Sequence, residues 1–184
     1  MKIISIDVYK LKVLFNQPLK VAIGSSDGAD NVVIKMTTDS GLVGWGEASP
    51  CAYITGDTQA TNLAIAPALA TLILGKDPLA IEARMKEINS FIIGEPSMRS
   101  AFDMALYDIA AKAADMPLYQ FLGGERREIR TDLTIGSDTV NGAKKILAAG
   151  FDAIRIKVGR QGLADVEHVK AVRELTGPDI AIQL

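Results

Sequence analysis

Ala153-Ile154-Arg155-Ile156-Lys157-Val158-Gly159 is the stretch on which the reading of this chain turns. Side chains alternate along a strand, so Arg155 and Lys157 share one face while Ile154, Ile156 and Val158 share the other. Working outward, strand and helix patterns alternate: Arg130 to Ile135, Val140 to Ala149, Ala153 to Val158, Ala164 to Leu175, Ile180 to Leu184. That rhythm predicts right-handed βαβ units on a parallel sheet. In a parallel βα-barrel, helices cover one face of each strand and the barrel interior takes the other. Two cations facing inward there are costly without a task, and at the C-terminal end of a barrel strand that task is usually catalytic. A solvated strand face is the alternative reading. A lysine held beside a second fixed cation is a sensible proton acceptor, because the neighbouring charge disfavours its protonated form. Lys157 is therefore the candidate base and Arg155 the group that tunes it. In the preceding strand, Asp132 and Thr134 share a face. Thr134 lies near the C-terminal end, where it either meets a ligand or fills a polar layer.

Upstream the rhythm differs. Lys2 to Leu14, Asn31 to Thr38 and Leu42 to Glu47 read as antiparallel strands, with Asp39-Ser40-Gly41 as a turn. The Gly-, Ser- and Asp-rich segment Asn16 to Asp30 reads as a mobile or a functional loop. Helical patterns follow: Thr58 to Leu74 ending at Gly75, a second opened by Pro78 and reaching Ile93, and a third capped by Ser97 and running to Ala114. In the third, Met98, Ala101, Ala105, Leu106 and Ile109 fall on one face, and Ala105, Ala110, Ala111 and Ala114 allow close helix contact, so it should be central and buried. The expected class is α/β: an α+β capping domain over residues 1–126, then the first strands of a modified TIM-type (β/α) barrel over 127–184. Three strands would leave an open edge near Leu184, so the sequence reads as truncated inside the barrel.

The 184 residues exceed the usual single domain of about 100 to 150 and fall short of a whole barrel of about 250. Hydrophobic residues at 48% and charged residues at 23% are enough for a sizeable core and make disorder unexpected. Twenty Lys and Arg against 22 acids give a net charge of -2 with no basic stripe, so nucleic acid is not an expected partner. Met1 to Val8 alternates like a strand and lacks the apolar region of a signal peptide, and no stretch approaches the ~20 apolar residues of a membrane span. One cysteine, Cys51, cannot form an internal disulfide, which agrees with a reducing, cytoplasmic setting. One histidine, His168, leaves no His-rich metal site and no Ser-His-Asp triad.

Ser100-Ala101-Phe102-Asp103-Met104-Ala105-Leu106-Tyr107-Asp108-Ile109-Ala110-Ala111-Lys112, followed by Pro117-Leu118-Tyr119-Gln120-Phe121-Leu122-Gly123-Gly124, resembles the signature helix and linker of the muconate-lactonizing subgroup of the enolase superfamily. Gly44-Trp45-Gly46-Glu47-Ala48 before a proline-containing loop, and the basic pair separated by one residue, add to the likeness, which runs over essentially the whole chain. It implies a capping domain over a modified barrel, a divalent metal, usually Mg2+, and removal of a proton next to a carboxylate or carboxyl-derived carbonyl. A Lys or His base with metal ions stabilising an enediolate is the known pattern of that superfamily. Ile54-Thr55-Gly56-Asp57 and Thr131-Asp132-Leu133-Thr134 most resemble dipeptide epimerases, where lysines on opposite faces invert an α-carbon. By this resemblance Lys157 is one of the two lysines, Thr134 and Arg155 lie against the substrate, and Gly24 and Ile54 are substrate-binding positions. The whole protein is expected to be a homo-oligomer acting on a small molecule, a dipeptide.

Two features depart from the pattern. Arg155 stands where the pair usually begins with lysine, so the charge survives on a group that is permanently protonated and forks differently. The acidic metal ligands and the opposing lysine would fall beyond Leu184, so no metal ligand is expected in this chain and the chain alone is expected to be inactive. The leading reading is a dipeptide epimerase. Muconate cycloisomerase, o-succinylbenzoate synthase and N-acylamino-acid racemase share the same motifs, and a non-catalytic fragment with an assembly or interaction role is the reading from another class. Glu47 is a structural turn residue or a substrate contact, Asp103 and Asp108 are capping or ion-pair groups, Cys51 is a small loop residue, and His168 is a surface residue.

Overall fold

The computed structural model describes residues 1–21, 24–135, 139–159 and 162–184. Two compact units are present: Met1–Leu14 with Gly28–Arg126, and Phe15–Asp27 with Arg127–Leu184.

The first unit holds most of a three-stranded sheet in the order β1 (Ile3–Val21), β2 (Gly24–Thr38), β3 (Val43–Ala48); the end of β1 from Phe15 and the start of β2 up to Asp27 belong to the second unit. β1 and β2 run through most of the segment expected as a loop, Asn16 to Asp30; only Ala22 and Ile23 of it lie outside the described residues. Turn-rich composition lost there to ladder pairing, which satisfies backbone N–H and C=O groups whatever the side chains. A Cβ on Gly28 would stand 2.5 Å from the Val13 carbonyl oxygen, so the glycine permits the close approach of the two strands.

β2 and β3 pair antiparallel, with Val32 opposite Ala48, Ile34 opposite Gly46 and Met36 opposite Gly44. These residues face inward, and helix α3 (Pro96–Ala113) lies directly on them. A Cβ on Gly46 would meet the Ala101 carbonyl oxygen at 1.8 Å, and one on Gly44 the Ala105 carbonyl oxygen at 2.2 Å. Small residues on both sides thus bring helix and strand backbones together. As expected, Met98, Ala101, Ala105, Leu106 and Ile109 are all fully buried, but Ala114, expected at a close contact, is exposed. The far edge of β3 is closed by α3 itself: the Trp45 N–H donates to Asp108 Oδ2 (2.9 Å), and Lys112 Nζ donates to the Val43 carbonyl (2.7 Å) and to Asp108 (2.7 Å). Asp108 is therefore an ion-pair group, as expected, that also covers an otherwise open strand edge.

Helices α1 (Gln59–Ile73) and α2 (Ile81–Phe91) complete the unit's core. Thr58 caps α1 in a reciprocal box with Thr61, and Gly75 turns the chain away at φ +76°. α2 starts later than expected, at Ile81 rather than Pro78, with Ala80 at its N-cap. Ser97 is not the cap of α3: Glu95 holds that position at φ 47°, Pro96 takes the first turn, and the serine is bonded elsewhere. A short helix α4 (Leu118–Phe121) follows.

In the second unit, β4 (Leu133–Ile135), β5 (Ala153–Ile156) and β6 (Ala181–Gln183) form a parallel sheet in sequence order, connected through α5 (Thr139–Ala148) and α6 (Leu163–Thr176). The expected alternation is present, with each strand shorter than its apolar pattern suggested. Ile135, Ile154 and Ile156 form one buried cluster with Ala143, Ile146 and Val172 of the two helices. No helix among the described residues is long and apolar enough to cross a membrane.

Candidate active site

The helices of the second unit cover one face of its sheet, and residues of opposite parity occupy the other. The pairing sets Thr134 beside Arg155 and Arg155 beside Gln183. Asp132, Thr134, Ala153, Arg155, Lys157, Ala181 and Gln183 therefore have the parity of the face that α5 and α6 leave uncovered. Arg155 lies there by its pairing with Thr134 and Gln183; Lys157, one residue past the end of β5, shares its parity. After Lys157 the chain turns at Gly159 (φ +99°), whose N–H donates to Asp165 Oδ2 at 2.7 Å, so the backbone that carries the lysine is tied to the start of α6.

The two cations differ in their surroundings. Arg155 Nη2 lies 2.9 Å from Asp132 Oδ2 and 3.3 Å from Gln183 Oε1. Asp132 immediately precedes β4, so the guanidinium is drawn toward the strand starts, over a shallow cavity lined by Asp132, Ala153, Ala181 and Gln183. Lys157, two residues further along and exposed, has no hydrogen bond or ion pair among the described residues. Thr134 is exposed on the same face.

A second group of predicted positions lies in the first unit. Ile54 is 76% exposed and its neighbour Tyr53 80% exposed, yet the loop beneath them is tightly held. The Cys51 carbonyl accepts from the N–H groups of Ile54 (2.9 Å), Thr55 (2.8 Å) and Gly56 (3.3 Å). The loop ends at Asp57, a buried carboxylate that receives the Thr55 hydroxyl, Asn62 Nδ2 (3.1 Å), the Ser97 N–H (3.0 Å) and the Ser97 hydroxyl (3.1 Å). Burial alone would raise the Asp57 carboxyl, but these bonds from Thr55, Asn62 and Ser97 outweigh it and hold the group below its ordinary range. Asp57 thereby supplies, from outside the helix, the cap that Ser97 was expected to provide for α3. Sequence reading missed this network. The available signal was Asn62, a polar residue heading the otherwise apolar buried stripe Ala66, Leu69, Ile73 of α1.

The other candidates are placed as follows. Gly24 is the first residue of β2. Glu47 is exposed and accepts from Asn31 Nδ2 at 2.6 Å. Asp103 on α3 is half-buried; burial, and then the charge of Glu82, push its carboxyl above the ordinary range. Cys51 is half-buried in its loop, and His168 is half-buried on α6 rather than fully at the surface. No group of three or more His, Cys, Asp or Glu among the described residues is placed to hold a metal ion.

Residues 5–123 match the family described as mandelate racemase / muconate lactonizing enzyme, N-terminal domain. The chain is 36% identical to a hydrophobic dipeptide epimerase of Enterococcus faecalis, over all of this chain and 53% of that protein. It is also 36% identical to an L-Ala-D/L-Glu epimerase of Bacillus subtilis, over all of this chain and 52% of that protein. The crystal structure of a dipeptide epimerase from Cytophaga hutchinsonii, complexed with Mg and the dipeptide D-Ala-L-Val, superposes with a TM-score of 0.93 at 35% identity, covering 99% of this chain and 51% of that one. The chain thus spans about half the length of the relatives it matches.

Proposed function

From the premise that this chain belongs to the mandelate racemase / muconate lactonizing enzyme family of the enolase superfamily, we propose that the whole protein is a dipeptide epimerase to which this chain contributes one of two lysine bases. The observation that supports the reading is the pairing of Thr134, Arg155 and Gln183 on one face of a parallel sheet, with Lys157 of the same parity just past the end of β5. Relatives named dipeptide epimerases support it. We take residues 1–126 as the capping domain and 127–184 as the start of the barrel.

In this reading the Lys157 amine takes the α-proton from one side of the substrate carbon and returns it on the reverse passage. Arg155, permanently charged, lies against the substrate's carboxyl-derived oxygens, and Thr134 offers a hydroxyl at the same level of the sheet. Gly24 and Ile54 are the other proposed substrate-binding positions. Mg2+ is the cofactor expected from the relatives, and it would stabilise the enediolate charge. The described residues of this chain do not form a site for it, so its ligands have to come from elsewhere in the whole protein. Cytoplasmic location and homo-oligomeric assembly complete the proposal.

The test is Lys157→Ala in the full-length enzyme. Because each lysine serves one face, exchange of the α-proton with deuterated water should be lost for one epimer and persist for the other. Equal residual exchange of both epimers refutes the assignment.

A further inference from the structure

We infer that Asp132 is a positioning residue for the reaction, acting through Arg155. This rests on the reading that Lys157 and Arg155 serve the substrate. Arg155 carries a long, flexible side chain that loses much rotamer freedom when fixed, and its planar fork is useful only if its direction is set. Asp132 sets it: the carboxylate lies 2.9 Å from Nη2 and is the less exposed partner, 13% against 46% for the arginine. Gln183 in β6 receives the same nitrogen at 3.3 Å, so the guanidinium is held between the strands on either side of β5. The hydrogen-bonding capacity of the guanidinium is not exhausted by this pair, and its remaining N–H groups stay available to an acceptor.

The same contact separates the tasks of the two cations. Arg155 is compensated by Asp132 on the strand-start side, whereas Lys157 has no such partner among the described residues. A free amine is what a proton acceptor needs, and an anchored guanidinium is what a binding group needs. Asp132 therefore makes the pair asymmetric: one cation is fixed for holding and the other is left for chemistry. An arginine at position 155 gives the carboxylate a fork it can hold directionally, which a lysine's point charge does not offer.

The experiment is a double-mutant cycle in the full-length enzyme, with Asp132→Asn, Arg155→Met and the combined variant assayed on L-Ala-L-Val. Asp132→Asn should lower kcat/KM roughly tenfold, mainly through KM, with no further loss once Arg155 is already methionine. Asp132→Glu, which keeps the charge, should recover most of the activity; it also stands in should the asparagine variant not fold. An equal loss in both backgrounds, no loss in either, or a glutamate variant as poor as the asparagine would overturn the inference. Lys157→Ala, run alongside, separates the two claims. If it spares exchange of both epimers, the assignment of Lys157 as base fails. If it abolishes exchange of one epimer while the cycle is additive, only the role of Asp132 fails.

Discussion

Placing a methyl group on Gly46 should unseat α3 from the sheet. An ideal Cβ there stands 1.8 Å from the Ala101 carbonyl oxygen, 2.7 Å from its carbon and 3.1 Å from its Cα. Real Cβ contacts essentially never fall below 3.0 Å, so helix and strand have to separate by at least 1.2 Å. The obstruction is backbone, so no side-chain rotation relieves it. A gap of that size forfeits about half or more of the dispersion energy across the contact, which here involves the fully buried Ile34, Ala101 and Ala105. Overpacking of this kind costs about 1 to 3 kcal/mol, and the severity of the contact places Gly46→Ala at or above the upper end. The smaller entropy of the unfolded alanine chain returns only about 0.4 to 1 kcal/mol. Urea unfolding followed by the fluorescence of Trp45, the single tryptophan and the residue next to Gly46, reads the effect directly. Gly41→Ala is the control: its φ of +83° is strained but its Cβ would meet nothing, so a loss of about 1 to 2 kcal/mol is expected. A Gly46→Ala protein within about 0.5 kcal/mol of the parent, or one rescued by Ala101→Gly, would refute the argument, since removing the Ala101 side chain leaves the clashing oxygen in place.

Asp57 has a depressed carboxyl, so its stabilising contribution is fully present above its ordinary value of 3.8 and is lost as pH falls through the lower folded value. Asp57→Asn should cost about 2 kcal/mol at neutral pH and flatten the acid limb of a plot of urea midpoint against pH; an unchanged limb would show that the network is not the acid-sensitive element. Asp103 has the opposite sign: its folded carboxyl is raised, so its charge is a penalty at neutral pH that disappears in acid. Asp103→Asn should raise the unfolding midpoint near pH 7 and leave it unchanged near pH 3, and a lowered midpoint at neutral pH would overturn this. For the full-length enzyme as proposed, the segment Ala22 to Asp30 holds two acids and no base, with Gly24 where an arginine would meet a second carboxylate. A dipeptide panel should give higher kcat/KM with a neutral or basic second residue than with Ala-Glu; a clear preference for Ala-Glu would mean that another cation replaces the arginine.

Periodicity made most of the fold legible. The stripe Met98, Ala101, Ala105, Leu106, Ile109 gave the central helix because burial of one face is written in every turn. The βα series was equally readable, since a strand covered by helices on one side must place isoleucines there. The Asn16 to Asp30 segment was misread because local composition carries no record of a pairing partner: glycine and serine can join a ladder whenever a neighbouring strand supplies the donors and acceptors. The same blindness hid Asp57. Its four donors come from Thr55, Asn62 and Ser97, and the last lies 40 residues away, so the one local mark that sets it apart from a solvated turn aspartate is Asn62 at the head of an apolar stripe.

At the candidate site, alternation gives Arg155 and Lys157 the same parity, but parity says nothing about where a long side chain ends. Read from sequence alone, two adjacent cations repel and each tunes the other. The pairing with Asp132 changes that balance, because among the described residues it compensates Arg155 and leaves Lys157 without an ion pair. Strand register explains why Asp132 can do this: Thr134 pairs with Arg155, so Asp132 lies on the same face one pleat repeat toward the strand start, within reach of a guanidinium but not of the amine two residues further on. Residue type then matters as much as position. Arginine is long enough to bend back to that carboxylate and still present other N–H groups. A lysine side chain at this position, bent back in the same way, would have its single charged nitrogen drawn away from the substrate side. Under the proposed role of Asp132, the arginine at 155 and the acid at 132 are best read as one unit.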